Sequence, residues 1–195
     1  MAEVLPEAKF ELQTAKACLV ELRDIEDFLV FKRKWNELLY CLEKVWKKAE
    51  RECQELEKSK WEPFQGKYKN LRKAPLLMYL KQARDCGDHL TNKLVEHIPG
   101  SITLTNNFGE IIPELSVSLT VQEDGSVSGT TGAFNLESKA TRIEAKPFYN
   151  NGKPYNPPKE HLGKQIKQPG DPLEMAEIAI RFYDDFLTEI EKKFF

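Results

Sequence analysis

Arg84, Asp85, Asp88 and His89 fall within six consecutive positions of the segment YLKQARDCGDHLTNKL, residues 79–94. On a helix, Asp85 and His89 are separated by four residues, as are Arg84 and Asp88. A carboxylate at that spacing can accept a bond from one imidazole nitrogen, select its tautomer and raise its basicity. An imidazole to move a proton and a guanidinium to hold phosphate oxygens as charge develops are the groups that acid/base cleavage of a phosphodiester requires. Where the substrate brings its own 2′-hydroxyl as nucleophile, no metal is needed. The same residues also suit a solvated face whose ion pairs contribute about 0.2–0.5 kcal/mol each, so spacing alone leaves both readings open.

The elements that must position these groups follow from the apolar pattern. Leu76, Leu80, Ala83, Gly87, Leu90 and Leu94 step by four and three, a seam that turns the charged residues onto the other face of one helix. Gly87 costs the helix about 1 kcal/mol relative to Ala, which points to a close backbone approach or a local kink. Upstream, residues 7–23 form a first helix. Ile25, Phe28, Trp35, Leu38, Leu42, Val45, Ala49, Cys53 and Leu56 mark a long second one, with Asp24 as its expected N-cap and Asp27 three residues on. WEPFQGKYKNLRKAP, residues 61–75, contains Pro63, Gly66 and Pro75 and is predicted to break that helix and serve as a connector. The helix bearing the charged residues starts near Pro75.

From Pro99 to about Pro158 the periodicity changes to two. SITLT, ELSVSLTVQ and ATRIEA alternate apolar and polar residues, with EDG and NNG as turns, and predict a small antiparallel sheet. YNPPKEHLGKQIKQPG, residues 155–170, reads as a loop. Asp171 caps a last helix with Pro172 at its first position and Glu174 at N3. Its stripe of Met175, Ile178, Ile180, Phe182, Phe186, Ile190 and Phe194 needs a partner, and the upstream helices are the nearest supply. The expected fold class is therefore α+β, mainly α: a helical bundle with a small antiparallel β insertion between the charged helix and the C-terminal helix. We expect one domain over 1–195, with a helical core at 7–98 and 171–193 and the insertion and loop at 99–170.

LKQARDCGDHLTNKL resembles the signature of the HEPN superfamily, in which Arg, a polar residue, a short spacer and then His lie on a late helix of a helical bundle. Arg84, Asp85 and His89 match those positions, and the likeness covers residues 7–94 and 171–193. The resemblance implies a HEPN-like bundle and metal-independent endoribonuclease activity on RNA. It also implies a homodimer that brings two motifs into one cleft, His89 as general acid/base, Arg84 on the phosphate and Asp85 orienting the imidazole. Many members are toxins or defence proteins, so an antitoxin partner is implied too; others are inactive and only bind RNA or protein. Asp85 departs from the Asn frequent at its position, and the β insertion lies outside the minimal bundle.

Composition sets the outer bounds. With 195 residues, 41% apolar and 31% charged, and a net charge of −2, the chain belongs to the ordinary globular class and has no global field attractive to nucleic acid. A local cluster is the remaining source of affinity. Lys67, Lys69, Arg72, Lys73, Lys81 and Arg84 face only Glu62 between Trp61 and Arg84. This makes Arg72, Lys73 and Lys81 candidate RNA-backbone contacts, with Tyr68 or Trp61 for base stacking; a solvated loop balancing the acidic remainder is the plainer reading. The four cysteines, Cys18, Cys41, Cys53 and Cys86, have neither zinc-finger nor disulfide-framework spacing and are expected to be reduced core residues. No metal or cofactor is expected. Asp85, Asp88 and His89 beside an Arg make a poor cation site, and no phosphate loop or nucleophile elbow is present. His97 is expected as a surface or capping residue, and His161 as a loop residue able to fold over a site. With no leader pattern and no apolar run of membrane length, the expected location is the cytoplasm, with no membrane partner.

Overall fold

In the computed structural model, residues 4–87, 94–106, 119–121, 127–129 and 134–194 are described. The chain divides into two compact units: residues 1–96 with 144–195, and residues 97–143.

The first unit is a helical bundle. Helix α1, Pro6–Asp24, buries Ala8, Leu12, Ala15, Cys18, Leu19 and Leu22 at helical spacing, which directs one stripe onto α2, Phe28–Leu71, and α4, Pro172–Phe194. Its N-cap position is Leu5, which has no side chain able to cap and is held in the left-handed region at φ 54°. The cap comes instead from far along the chain: both carboxylate oxygens of Glu52 accept from the backbone N–H groups of Glu7 and Ala8, at 3.0 and 3.1 Å. A carboxylate at a helix N-terminus meets unpaired donors and the positive end of the dipole together.

Two sequence expectations are corrected along α2. Its cap is Asp27, whose Oδ1 accepts from Val30 N at 2.9 Å, whereas Asp24 completes α1, whose last turn is tied to α4 by the Arg23–Glu177 ion pair at 2.5 Å. Pro63 and Gly66 do not break the helix either; α2 runs through both to Leu71. Proline removes one backbone bond and crowds the preceding turn, at a cost of about 3 kcal/mol. Trp61, Phe64 and Tyr68 share one face of this segment and are buried, and each contributes about 1.5–3 kcal/mol, enough to keep the segment helical. Their rings gather with Trp46 and α4 residues: Phe186 lies 5.1 Å from Trp46 and 4.7 Å from Tyr68, and Phe194 is edge-on to Phe64 at 5.6 Å.

Helix α4 starts as expected. Asp171 Oδ1 accepts from Leu173 N at 2.9 Å, while the Glu174 carboxylate reaches the N–H groups of Lys167 and Gln168 and fastens the preceding loop. Met175, Ile180, Phe182, Phe186, Ile190 and Phe194 of the expected stripe are buried.

The strands are β1 Val95–Ile98, β2 Ser101–Asn106, β3 Leu119–Val121, β4 Val127–Gly129, β5 Phe134–Lys139, β6 Arg142–Ala145, β7 Phe148–Asn150, β8 Lys153–Tyr155, β9 Glu160–His161 and β10 Lys164–Gln165. Among the described residues they form two-stranded pairs rather than the single sheet expected: β1 with β6, β2 with β5, β3 with β4, β7 with β8 and β9 with β10. β7–β8 and β9–β10 belong to the first unit and turn through Asn151-Gly152 and Leu162-Gly163, with positive φ at all four residues. That geometry matches the twist of a two-residue hairpin. The segment expected as a plain loop, 155–170, thus contains a hairpin.

The second unit contains β2–β5, in antiparallel register through Leu104 and Leu136, and β3–β4, paired through Thr120 and Ser128. Gly100 is required where it stands: its N–H donates to Thr141 Oγ1 at 3.0 Å, and a Cβ would lie 2.8 Å from the Lys139 carbonyl oxygen. The expected EDG turn, most of ELSVSLTVQ, and Leu90 of the seam lie outside the described residues.

Candidate functional site

Arg84 and Asp85 occupy the last turn of α3, Pro75–Gly87. A proline at the first position suits a helix start, and Leu76, Leu77, Leu80 and Ala83 are buried, with α3 packed on α2 and α4. Three further contacts fix α3 against β7–β8 and the link that precedes it. Tyr79 donates its hydroxyl to the Lys146 carbonyl at 2.8 Å, Asn150 Nδ2 donates to Gln82 Oε1 at 2.9 Å, and Cys86 Sγ lies 3.5 Å from the Tyr149 carbonyl. Burial raises the Tyr79 phenol well above its ordinary range, so this hydroxyl stays a donor.

On that fixed helix the Arg84 guanidinium has little freedom. Its side chain is 17% exposed, its Nη2 is ion-paired to Asp85 Oδ1, and its Cζ lies 5.9 Å from the ring centre of Tyr40. Its Nε is buried with no hydrogen-bond partner among the described residues. A cation in the last turn is favoured by the negative end of the helix dipole. The contact expected for Arg84 was Asp88, four residues on; the contact among the described residues is Asp85. Asp88 and His89 themselves lie outside the described residues, as do the expected Asp85–His89 bond and any convergence of Arg84 and His89.

The basic run around α3 is largely matched by acids. Arg72 Nη2 lies 2.6 Å from Glu43 Oε2, with the two side chains 14% and 9% exposed, and its guanidinium covers the Trp46 ring at 4.4 Å. Lys67 binds Glu189 at 2.9 Å and Lys69 approaches Glu50 at 3.4 Å. Lys73 donates to Asn70 Oδ1 at 3.2 Å, and Lys81 is exposed; neither forms an ion pair among the described residues. The two rings expected to stack on bases are corrected outright. Trp61 and Tyr68 are 0% and 5% exposed, and Tyr68 donates its hydroxyl to Glu189 at 2.5 Å, so both are core.

The cysteines are free and buried. Burial pushes the thiols of Cys41 and Cys53 up to about 12, which makes them poor nucleophiles. Among the described residues no group of three or more His, Cys, Asp or Glu stands ready to hold a metal ion, and no helix is long and apolar enough to cross a membrane.

His161, expected as a loop residue able to fold over a site, stands on the β9–β10 hairpin. It is 8% exposed, its Nδ1 is buried without a partner, and its ring meets Phe182 edge-on at 6.1 Å. The only sequence signal for it was HLG, a His beside a Leu-Gly turn, and a short hairpin does not announce which way its side chains face.

The fold and its ionisable groups define a mainly helical bundle with small antiparallel β pairs and a restrained Arg–Asp pair at the end of its third helix. No protein-family model matches this chain, and searches of curated proteins and of solved structures return no match.

Proposed function

We propose that this chain is a HEPN-like, metal-independent endoribonuclease that acts as a homodimer in the cytoplasm. In this reading His89 moves the proton of the 2′-hydroxyl and of the leaving oxygen, Arg84 meets the phosphate, and Asp85 orients the imidazole. The observation that carries it is the state of Arg84. Its guanidinium is held by Asp85 and Tyr40 while Nε has no acceptor among the described residues. A buried donor without a partner is costly, and a phosphate oxygen of the substrate would satisfy it. The donor is fixed before charge develops, which is what transition-state stabilisation asks of it.

A second reading is favoured by a different observation. Arg72, Lys67 and Lys69 are ion-paired to acids and Trp61 and Tyr68 are buried, which leaves little surface for RNA around α3. That suits a non-catalytic HEPN-like module, one that binds a protein, an antitoxin among them, or meets RNA away from this helix.

The test is incubation of the full chain, Arg84→Ala and His89→Ala with mixed RNA in a chelator, followed by analysis of the ends. The first reading expects 2′,3′-cyclic phosphate ends from the wild type and at least a hundredfold slower cleavage by each variant, on the order of the loss for one acid/base or oxyanion group. Cleavage unchanged by both substitutions overturns it; RNA bound but never cut supports the module.

A further inference from the structure

We infer that the cleft between the β9–β10 hairpin and α4 is a binding site for a small phosphate monoester with an apolar or aromatic body. The cleft has a volume of about 440 Å³, suited to a small organic molecule, and all of its walls come from residues 161–185 of the helical unit.

Three independent features meet there. Lys164, Lys167 and Arg181 line the cleft, and none of them forms an ion pair among the described residues, although most other cations of the helical unit are matched to acids. Against them stand Asp185 and Glu174, and both Glu174 oxygens are already taken by the N–H groups of Lys167 and Gln168. The cleft is therefore net positive within a chain of net charge −2, and its uncommitted groups are mainly donors.

The second feature is His161, which is more than nine-tenths buried, lines the cleft, and has its Nδ1 beneath the surface with no partner among the described residues. Buried polar nitrogens without partners are rare in folded proteins and mark a missing ligand atom or an unusual strain. Burial holds this imidazole below its ordinary pKa, so at neutral pH it is uncharged and donates from Nδ1 in one tautomer. The three cations can serve the three terminal oxygens of a phosphoryl group; a carboxylate has only two oxygens to offer.

The third feature is Leu162. In the β7–β8 hairpin the corresponding turn position is Asn151, a residue that tolerates positive φ. Here a leucine takes the same left-handed conformation, at φ 48°, and remains 48% exposed while lining the cleft. With Phe182 and Ile178 it forms an apolar wall beside the cations, which is why an organic body is assigned and not a bare anion.

The test is calorimetric titration of the full chain with phenyl phosphate, inorganic phosphate and benzoate. We expect saturable binding of phenyl phosphate, at least tenfold tighter than inorganic phosphate or benzoate. Lys164→Ala and Arg181→Ala alter exposed residues and leave the fold intact, so each should weaken phenyl phosphate binding tenfold or more with Tm unchanged. His161→Asn is read alongside, with the imidazole resonance of the wild type shifting on binding. Absence of binding, benzoate binding as tightly as phenyl phosphate, or affinity untouched by both surface variants overturns the assignment. So does loss of binding in Arg84→Ala, which would move the ligand to the end of α3. Because that residue takes no part in this cleft, failure here leaves the ribonuclease reading standing, and the reverse holds too.

Discussion

Arg72→Ala separates an RNA contact from a structural anchor. Arg72 and Glu43 lie 2.6 Å apart with side chains 14% and 9% exposed, so removing the cation leaves a carboxylate buried without compensation. Breaking a buried pair from one side costs about 3–5 kcal/mol, and the lost cover over Trp46 at 4.4 Å is of the order of 0.5–2 kcal/mol when desolvated. For a chain of this size 1 kcal/mol moves Tm by about 2–4 °C, so Arg72→Ala should melt roughly 7–28 °C below the wild type. Glu43→Ala should behave similarly, and Arg72→Met with Glu43→Leu should recover most of the loss, because apolar replacement of both partners removes the uncompensated charge. Far-ultraviolet circular dichroism follows the helices and tryptophan fluorescence follows the core around Trp35, Trp46 and Trp61; the exposed Lys81→Ala is the control and should stay within about 1 °C. An Arg72→Ala protein that melts within 2 °C of the wild type, or a double variant as unstable as the sum of the singles, refutes the anchoring argument.

Two further outcomes follow from named groups. Glu52→Ala removes the carboxylate that caps α1 from the adjacent helix and should cost about 2–4 kcal/mol, the scale of a lost cap plus a buried unpaired donor; Glu55→Ala, 70% exposed and 3.9 Å from Arg51, should be nearly neutral, and equal effects from the two would contradict the assignment. His161 has a lowered pKa in the folded state, so below about pH 6.5 the unfolded chain takes up a proton that the folded chain resists, and stability falls with pH. Measured by urea denaturation in phosphate-free buffer, the stability of the wild type relative to His161→Asn should drop between pH 7.5 and 5, and a difference independent of pH would refute the claim.

Legibility varied with how local the cause was. The four helices could be read because apolar stripes repeat within each, and the start of α4 could be read because Asp171, Pro172 and Glu174 carry their signal in four residues. Pro63 misled because what keeps α2 intact is the burial of Trp61, Phe64 and Tyr68 against α4, more than a hundred residues away. Asp24 reads as the cap locally, with Asp27 three residues on; in the structure α1 runs to Asp24 and Asp27 accepts from Val30 N, an exchange that no local pattern announces. At the site, the shared turn of Arg84 and Asp85 was visible, but the engagement of Arg72 was not, since Glu43 stands 29 residues before it. Nothing in a pattern of two or 3.6 reveals that a hairpin folds His161 beneath its own turn.

One consequence concerns the place where the chain leaves the helical unit and comes back. The N–H of Lys146 donates to the Leu94 carbonyl at 2.9 Å, and Lys146 is ion-paired to Glu96, so the outgoing and returning strands are already clasped inside the bundle. Closing a loop costs entropy that grows only slowly with its length, and a clasped pair of ends meets that cost locally whatever is threaded between them. The doorway of the first unit is thus closed by that unit's own residues, and the entropy of holding Leu94 and Glu96 beside Lys146 depends only weakly on how many residues run between them.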